Sequence, residues 1–287
     1  MSTVGIRAPG AGRLAVVRGE TAKLTAFLRR DFLVAWSYRL SFVTDWASMI
    51  VQVIVFNFVG KIVRVDAVGQ FGGSTPTYME YVAVGIAISS FMAVGLGRVY
   101  SVIRQEQLQG TLESLLLTPT AYTTIQMGSV VYDLVYVPVR TFIFLGLTTV
   151  VFGTSFNWSG LGPTLAILLV FIPFVWGLGV LAAAWTLTFK RGTGVIGIAT
   201  TFVTIGAGTY FPTTVLPSWA QEIFRFSPVT IALKAAREAL LGTAGWADTL
   251  PAIAVLIPCA IVSLSVGVFA FRRALEREQR RGTLGLY

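Results

Sequence analysis

Long apolar stretches constrain this chain more than any other feature of its sequence. A stretch of about 20 apolar residues, rising about 1.5 Å per residue, crosses a hydrocarbon layer of about 30 Å. Six predicted spans cover residues 40–60, 79–100, 122–152, 164–189, 194–212 and 250–271. Only 12% of the 287 residues are charged, against about 25% in a soluble domain. We therefore predict an all-α polytopic membrane protein that forms one domain over residues 1–287, without room for a separate catalytic domain.

The basic residues predict the orientation of these spans. With the amino terminus in the cytoplasm, sixteen of the 22 Lys and Arg residues fall on the cytoplasmic side and five outside, leaving Arg140 within a span. The positive-inside rule then places both termini in the cytoplasm. Basic residues that border spans meet anionic lipid headgroups, which also accounts for the net charge of +9. We expect membrane lipids as partners and no nucleic acid.

Residues suited to catalysis or metal binding are scarce. Histidine is absent and Cys259 is the only cysteine. The commonest general base, an intrachain disulfide and a Cys-rich metal site are therefore excluded. We predict no catalytic site and no metal site in this chain.

The predicted spans nevertheless contain charged side chains, which are costly in a bilayer and mark functional candidates. Asp45 lies near the start of the first span, and the third contains Asp133 and Arg140. A separation of seven residues puts the latter two on roughly one helix face. Structural pairing within the bundle and a role in transport both remain open.

Residues 21–38, just before the first span, have the pattern of an amphipathic helix. Leu24, Phe27 and Leu28 recur at helical spacing, whereas Lys23 and Arg30 mark another face. Because a span follows at once, we predict a helix lying on the membrane interface. A soluble amphipathic helix is the alternative.

The predicted cytoplasmic segment 101–119 is the most informative part of the sequence. Leu108, Leu112 and Leu116 form one helical stripe, and a second stripe is polar. Gly110 favours a bend, while Pro119 prevents the helix from continuing. These properties predict a short, two-faced element, which fits either an ordinary interfacial helix or a docking site.

This segment resembles the coupling region of the ABC-2 type transporter permeases, which include bacterial drug, polysaccharide and teichoic acid exporters. The residues that carry the resemblance are Glu106, Gly110, Thr111, Leu112, Glu113, Leu115, Leu116, Thr118 and Pro119. The resemblance implies a coupling helix that docks on an ATP-binding subunit, which the helix before the first span also contacts. Gln105 and Gln107 stand where the family often has charged residues, so no particular salt bridge is implied.

A second match to the family lies between the fifth and sixth predicted spans, in the external region of residues 213–248. The residues that follow the expected spacing are Pro212, Pro217, Trp219, Pro228, Arg237 and Gly242. Ser227 suits the N-cap of a helix, Pro228 its first position and Gly242 its end, which predicts about four helical turns. The resemblance implies two short re-entrant helices, the first near residues 219–226. Pro228 and Arg237 are the candidates for an external gate. A solvent-exposed loop with one helix is the alternative.

ATP binding is expected in another chain, because the sequence has no Gly-x-x-x-x-Gly-Lys-[Ser/Thr] phosphate loop. The resemblance implies two copies of an ABC nucleotide-binding subunit, which would hold ATP and Mg. It also implies a second permease, either another copy or a homologue, in a bacterial cytoplasmic membrane. On this interpretation the chain is a transport permease, not an enzyme, and binds no cofactor itself.

The resemblance places the substrate path along the first, second and fifth spans, between two permeases. Its aromatic candidates are Phe42, Trp46, Phe56, Phe91, Phe202, Tyr210 and Phe211. Aromatic side chains suit amphipathic cargo, although lipid-facing positions fit them equally well. The predicted function is export of an amphipathic or lipid-linked substrate, such as a drug, glycolipid or polysaccharide.

An ion-coupled secondary transporter is the alternative function. It would use the carboxylates of Asp45, Glu80 and Asp133. The inverted repeat of charged, broken spans that such transporters often show is not evident in this sequence. Proton or sodium dependence without an ATPase would distinguish this class from an ATP-driven exporter.

Overall fold

The computed structural model describes residues 39–62, 76–108, 122–189 and 193–281, and also the helical positions Arg29, Phe32, Leu33 and Ser37. The helices are α1 (Arg39–Ile62), α2 (Tyr78–Leu108), α3 (Tyr122–Phe152), α4 (Leu161–Phe189), α5 (Thr193–Gly206), α6 (Ser218–Arg225), α7 (Pro228–Leu241) and α8 (Trp246–Arg281). Short 3-10 turns precede α4 and α6, at Trp158–Gly160 and Thr213–Val215. These ranges contain no strand, which confirms the all-α prediction.

Three of the helices are long and apolar enough to cross a membrane. Their apolar segments are Tyr78–Gly97 in α2, Trp158–Phe189 through α4 and Trp246–Glu278 in α8. Shorter apolar segments occur at Trp46–Ile62, Tyr136–Phe152 and Gly194–Gly206. The described residues thus confirm three long apolar helices, and the count of six spans stays a prediction.

Helix boundaries agree with the predicted spans in some places and differ in others. α3 covers the predicted range 122–152, and α7 begins at Pro228 after Ser227, as predicted. The second helix continues to Leu108, so the first part of segment 101–119 is an extension of α2. α8 also exceeds its predicted span, because charged residues that solvate a helix end follow the apolar part.

Several predicted features lie outside the described residues. Most of the interface helix 21–38 does, and so do the coupling residues Gly110, Thr111, Leu112, Glu113, Leu116 and Pro119. The side chains of Phe42, Asp45, Glu106 and Asp133 are likewise outside the description, although their backbones are helical. The roles assigned to these residues stay predictions.

α4 lies at the centre of the helix packing. It makes its largest contact with α8, the next with α2, and a smaller one with α7. Glycine permits the close approach to α8: a Cβ at Gly267 would overlap the carbonyl of Gly177, and one at Gly177 would overlap the α8 backbone. The hydroxyl of Ser263 also donates to the Phe174 carbonyl over 2.8 Å. Small residues thus bring the two helices together, as is common in membrane bundles.

Substitution of Gly267 tests this close packing. In Gly267→Ala the methyl group forces α8 away from Gly177, and we expect a loss of about 1–3 kcal/mol in the free energy of unfolding. Thermal unfolding of the detergent-purified protein measures the effect. Gly146→Ala is the matched control, because nothing lies within 4 Å of the added Cβ. Equal melting temperatures for the two variants would contradict the packing model.

Candidate functional site

The most distinctive feature of the fold is the early end of α5. The apolar pattern predicted a span over 194–212, but α5 ends at Gly206 and the chain continues in irregular conformation. At 1.5 Å per residue its 14 residues reach only about 21 Å, short of a hydrocarbon layer of about 30 Å. Gly208 then has a φ of +87°, in the left-handed region that favours glycine. Residues 207–212 are therefore not helical, and the carbonyls that follow the end of the helix need partners from elsewhere in the chain.

Arg237 of α7 supplies those partners. Its guanidinium donates to the carbonyl oxygen of Gly208 over 2.9 Å and to that of Thr209 over 3.0 Å. Two further bonds, of 3.2 and 3.3 Å, reach the carbonyl of Tyr81 in α2. A cation near the carboxyl end of a helix is favourable, because it meets unpaired carbonyls and the negative end of the dipole. One side chain thus joins three separate parts of the chain.

The guanidinium is deeply buried, with Arg237 only 3% exposed. It also lies over the Tyr81 ring, 3.5 Å from the ring centroid, in cation–π geometry. Burial lowers the pKa of Arg237 to about 10, an effect that the neighbouring Tyr81 partly opposes. The side chain therefore stays protonated at neutral pH, and its charge is distributed over carbonyl oxygens and a ring face.

A stripe on α2 completes this contact. The hydroxyl of Tyr81 donates to the Gly208 carbonyl over 3.0 Å, and the hydroxyls of Ser89 and Thr209 are 2.8 Å apart. Between them, a Cβ at Gly85 would overlap the Thr209 carbonyl. The stripe residues are four apart in sequence, so they share one helix face. We call Tyr81, Gly85, Gly208, Thr209 and Arg237 the arginine junction.

The carboxyl end of α7 is fixed separately by Asn157. Its backbone N–H donates to the Leu240 carbonyl over 2.7 Å, and its side-chain amide donates to the Gly242 carbonyl over 2.9 Å. Gly160 lies so close to α7 that an added Cβ would overlap the Ala239 carbonyl. These contacts hold α7 against the start of α4.

Glu80 fixes the start of α2 rather than standing free. The carboxylate accepts from the Thr77 N–H over 2.7 Å, and the Thr77 hydroxyl accepts from the Glu80 N–H over 3.3 Å, which forms a capping box. The same carboxylate accepts from the N–H and hydroxyl of Ser155, at 2.6 and 2.9 Å. Glu80 is only 6% exposed, so its bonds indicate a structural role.

α6 covers the end of α5 from another side. A Cβ at Gly206 would overlap the ring of Phe224, and Phe224 is only 4% exposed. Phe202 lies beside it, with 5.4 Å between the ring centroids. The two short helices α6 and α7 therefore both pack on the region where α5 ends.

The aromatic candidates for a substrate path fall into different environments. Phe56 of α1 stacks on Tyr210, with 5.3 Å between ring centroids and 9° between planes. Phe91 is buried in the core, so it does not line an open path in this conformation. Trp46 packs partly buried against the same core, and Phe211 is half-buried. Phe56 and Tyr210 are the predicted path residues that the structure brings together.

The remaining site predictions are only partly described. Pro228, the other gate candidate, starts α7 and is half-buried. Arg140 is half-buried within α3, and the geometry of its predicted pairing with Asp133 lies outside the description. Among the described residues, no cluster of three or more His, Cys, Asp or Glu side chains offers a metal site.

Replacing the junction arginine tests its importance. Arg237→Gln leaves several buried carbonyls without donors, and we expect a loss of at least about 2 kcal/mol in the free energy of unfolding. Lys234→Gln is the control on the same helix, since Lys234 is exposed and its ion pair with Glu238 contributes little. Thermal unfolding in detergent distinguishes the variants. The junction has no structural importance if both melt like the wild type.

Comparison with known families agrees with this architecture. A sequence model described as ABC-2 type transporter matches residues 22–241. The match begins before α1, includes the whole of segment 101–119 and ends with the last residue of α7. No curated protein matches the chain in sequence. Because the matched range covers more than half of the chain, the protein belongs to the ABC-2 type transporter family, as a membrane permease.

Proposed function

We propose that the chain is the membrane-spanning half of an ATP-driven exporter, which moves an amphipathic or lipid-linked substrate out of the cytoplasm or inner leaflet. The observation that carries this proposal is the family match over residues 22–241, which includes the coupling segment. Because the sequence has no phosphate loop, two separate nucleotide-binding subunits would bind ATP and Mg. A second permease, either another copy or a homologue, completes the transporter. Drugs, glycolipids and polysaccharides are the substrate classes proposed.

α2 offers a direct mechanical route between the two ends of such a permease. Its 31 residues form one helix of about 46 Å, at 1.5 Å per residue, from Tyr78 to Leu108. The segment resembling a coupling helix, residues 101–119, begins within the last turns of α2, while Tyr81 near the other end bonds to Arg237. A displacement applied to the coupling segment therefore reaches the arginine junction through one rigid element.

The proposed cycle uses this connection. Closure of the nucleotide-binding subunits around ATP pushes the coupling segments, and α2 transmits the movement to the external end. Because Arg237 joins α2 to α7 and to the end of α5, these elements shift together. The short helices α6 and α7 then act as the external gate. Pro228 begins α7, and Arg237 attaches it to its neighbours.

Phe56 and Tyr210 are proposed as path residues beside this gate. Their stacked rings connect α1 with the segment after α5, two of the three regions that the resemblance places along the path. A flat, apolar contact of this kind opens without breaking hydrogen bonds. The stack therefore suits amphipathic cargo better than a strongly charged one.

The described contacts do not favour an ion-coupled mechanism. Of the three carboxylates that it would use, Glu80 is engaged by Thr77 and by Ser155 at the start of α2. A carboxylate with these buried donors is suited to fixing a helix end. Transport that depends on a proton or sodium gradient, without any ATPase, would support this class instead.

Glu113→Ala tests the coupling role. We expect the transporter, purified with its nucleotide-binding subunits, to hydrolyse ATP without stimulation by substrate and to lose export. The reason is that the altered segment no longer transmits the movement of those subunits to α2. ATPase activity and substrate uptake into inside-out vesicles, measured on the same preparation, separate hydrolysis from transport.

Arg272→Ala is the control, since it removes an exposed charge from α8, outside the coupling segment, the external gate and the proposed path. Its hydrolysis and export should equal those of the wild type. Normal substrate-stimulated hydrolysis and export in Glu113→Ala would contradict the coupling role. A purified, transport-active permease without any ATPase would contradict the proposed function as a whole.

A further inference from the structure

A large groove lies at the end of the bundle opposite the arginine junction. It has a volume of about 1280 Å³ and lies between α4 and α5, with α2 and α8 behind it. Its apolar wall includes Leu96, Leu178, Trp185 and Ile196. This volume exceeds the roughly 300–1,000 Å³ of pockets for drug-sized ligands. The groove therefore has room for a long apolar chain.

One rim of the groove is strongly basic. Arg273, Arg277 and Arg280 line it from α8, and their spacing of four and three residues puts them on one helix face. Glu276 is the acidic residue of the lining. Within the described residues, these three guanidiniums form no ion pair, and Arg273 lies 5.1 Å from the Phe269 ring. Among the described residues of the lining, the rim thus carries three positive charges and one negative charge.

The groove also adjoins exposed apolar surfaces. Among the three long apolar helices, α8 is the least enclosed by protein, because only 17% of its most apolar stretch is buried. Trp185 and Phe189 at the basic end are 43% and 55% exposed, and their ring centroids are 4.3 Å apart. Tryptophan at the end of an apolar helix is typical of the headgroup level of a bilayer. An occupant can therefore enter from the membrane.

We infer that this groove is a binding site for an anionic glycerophospholipid. The acyl chains occupy the apolar wall between α4 and α5, and the phosphate lies against Arg273, Arg277 and Arg280. Basic pockets between membrane helices recognise anionic headgroups through charge of this kind. The proposed orientation makes this the cytoplasmic leaflet. The binding itself depends neither on that orientation nor on export activity.

Native mass spectrometry of the purified, delipidated permease tests the site. The protein is offered phosphatidylglycerol and phosphatidylcholine in equal amounts, and the bound lipids are counted. We expect wild type to retain phosphatidylglycerol preferentially. Arg273→Gln combined with Arg277→Gln should lower that preference by about fivefold for each arginine removed. Arg272→Gln is the control, because Arg272 is an exposed neighbour that does not line the groove.

A second variant tests the apolar part independently. Ala199 lines the groove from α5 and is exposed, so Ala199→Trp fills the space without disturbing the core. It should reduce the amount of phosphatidylglycerol retained. Equal retention of the two lipids by wild type overturns the proposal. So does an unchanged preference in the double arginine variant, or unchanged retention in Ala199→Trp.

Discussion

The guanidinium of Arg237 holds the end of α5 in place, and the arrangement of the neighbouring helices depends on it. An irregular backbone within or beside a bilayer needs partners from the protein, since no water is available in the hydrocarbon layer. Arg237 provides them by donating to Gly208, Thr209 and Tyr81 at once. Because the side chain belongs to α7, the same bonds fix α7 on the bundle. The short helix and its neighbours are therefore one structural unit.

This unit stands at one end of α2, and the family's coupling segment adjoins the other. The contact of α2 with the junction is a stripe of Tyr81, Gly85 and Ser89, close enough to exclude any side chain at Gly85. Glu80 anchors the helix start to Ser155, and Asn157 anchors the end of α7. The proposed function requires such a connection, because it assigns ATP hydrolysis to another chain. The proposed lipid groove lies at the opposite end from the junction, among α2, α4, α5 and α8.

Much of this fold follows from local sequence signals. Apolar length predicted the central helices, and the order Ser227, Pro228 and Gly242 predicted α7 closely. The Thr77-x-x-Glu80 pattern of a capping box is also present in the sequence, and it would have identified Glu80 as a helix cap. The end of α5 could not be predicted in this way. Apolar residues continue past Gly206, and the backbone leaves the helix where it accepts hydrogen bonds from residues far away in sequence. The sequence identified Arg237 as a candidate for the external gate, but its three carbonyl partners depend on the tertiary fold.

Amide hydrogen exchange in the wild-type protein tests the central claim most directly. We expect slow exchange at residues 207–209, comparable with the buried part of α4, because the N–H groups of Ala207 and Gly208 donate hydrogen bonds within a backbone held by Arg237. Thr243, an exposed residue between α7 and α8 whose N–H makes no hydrogen bond within the described residues, serves as the reference for a connecting segment. Exchange at 207–209 as fast as in this reference would contradict a backbone fixed by the arginine junction.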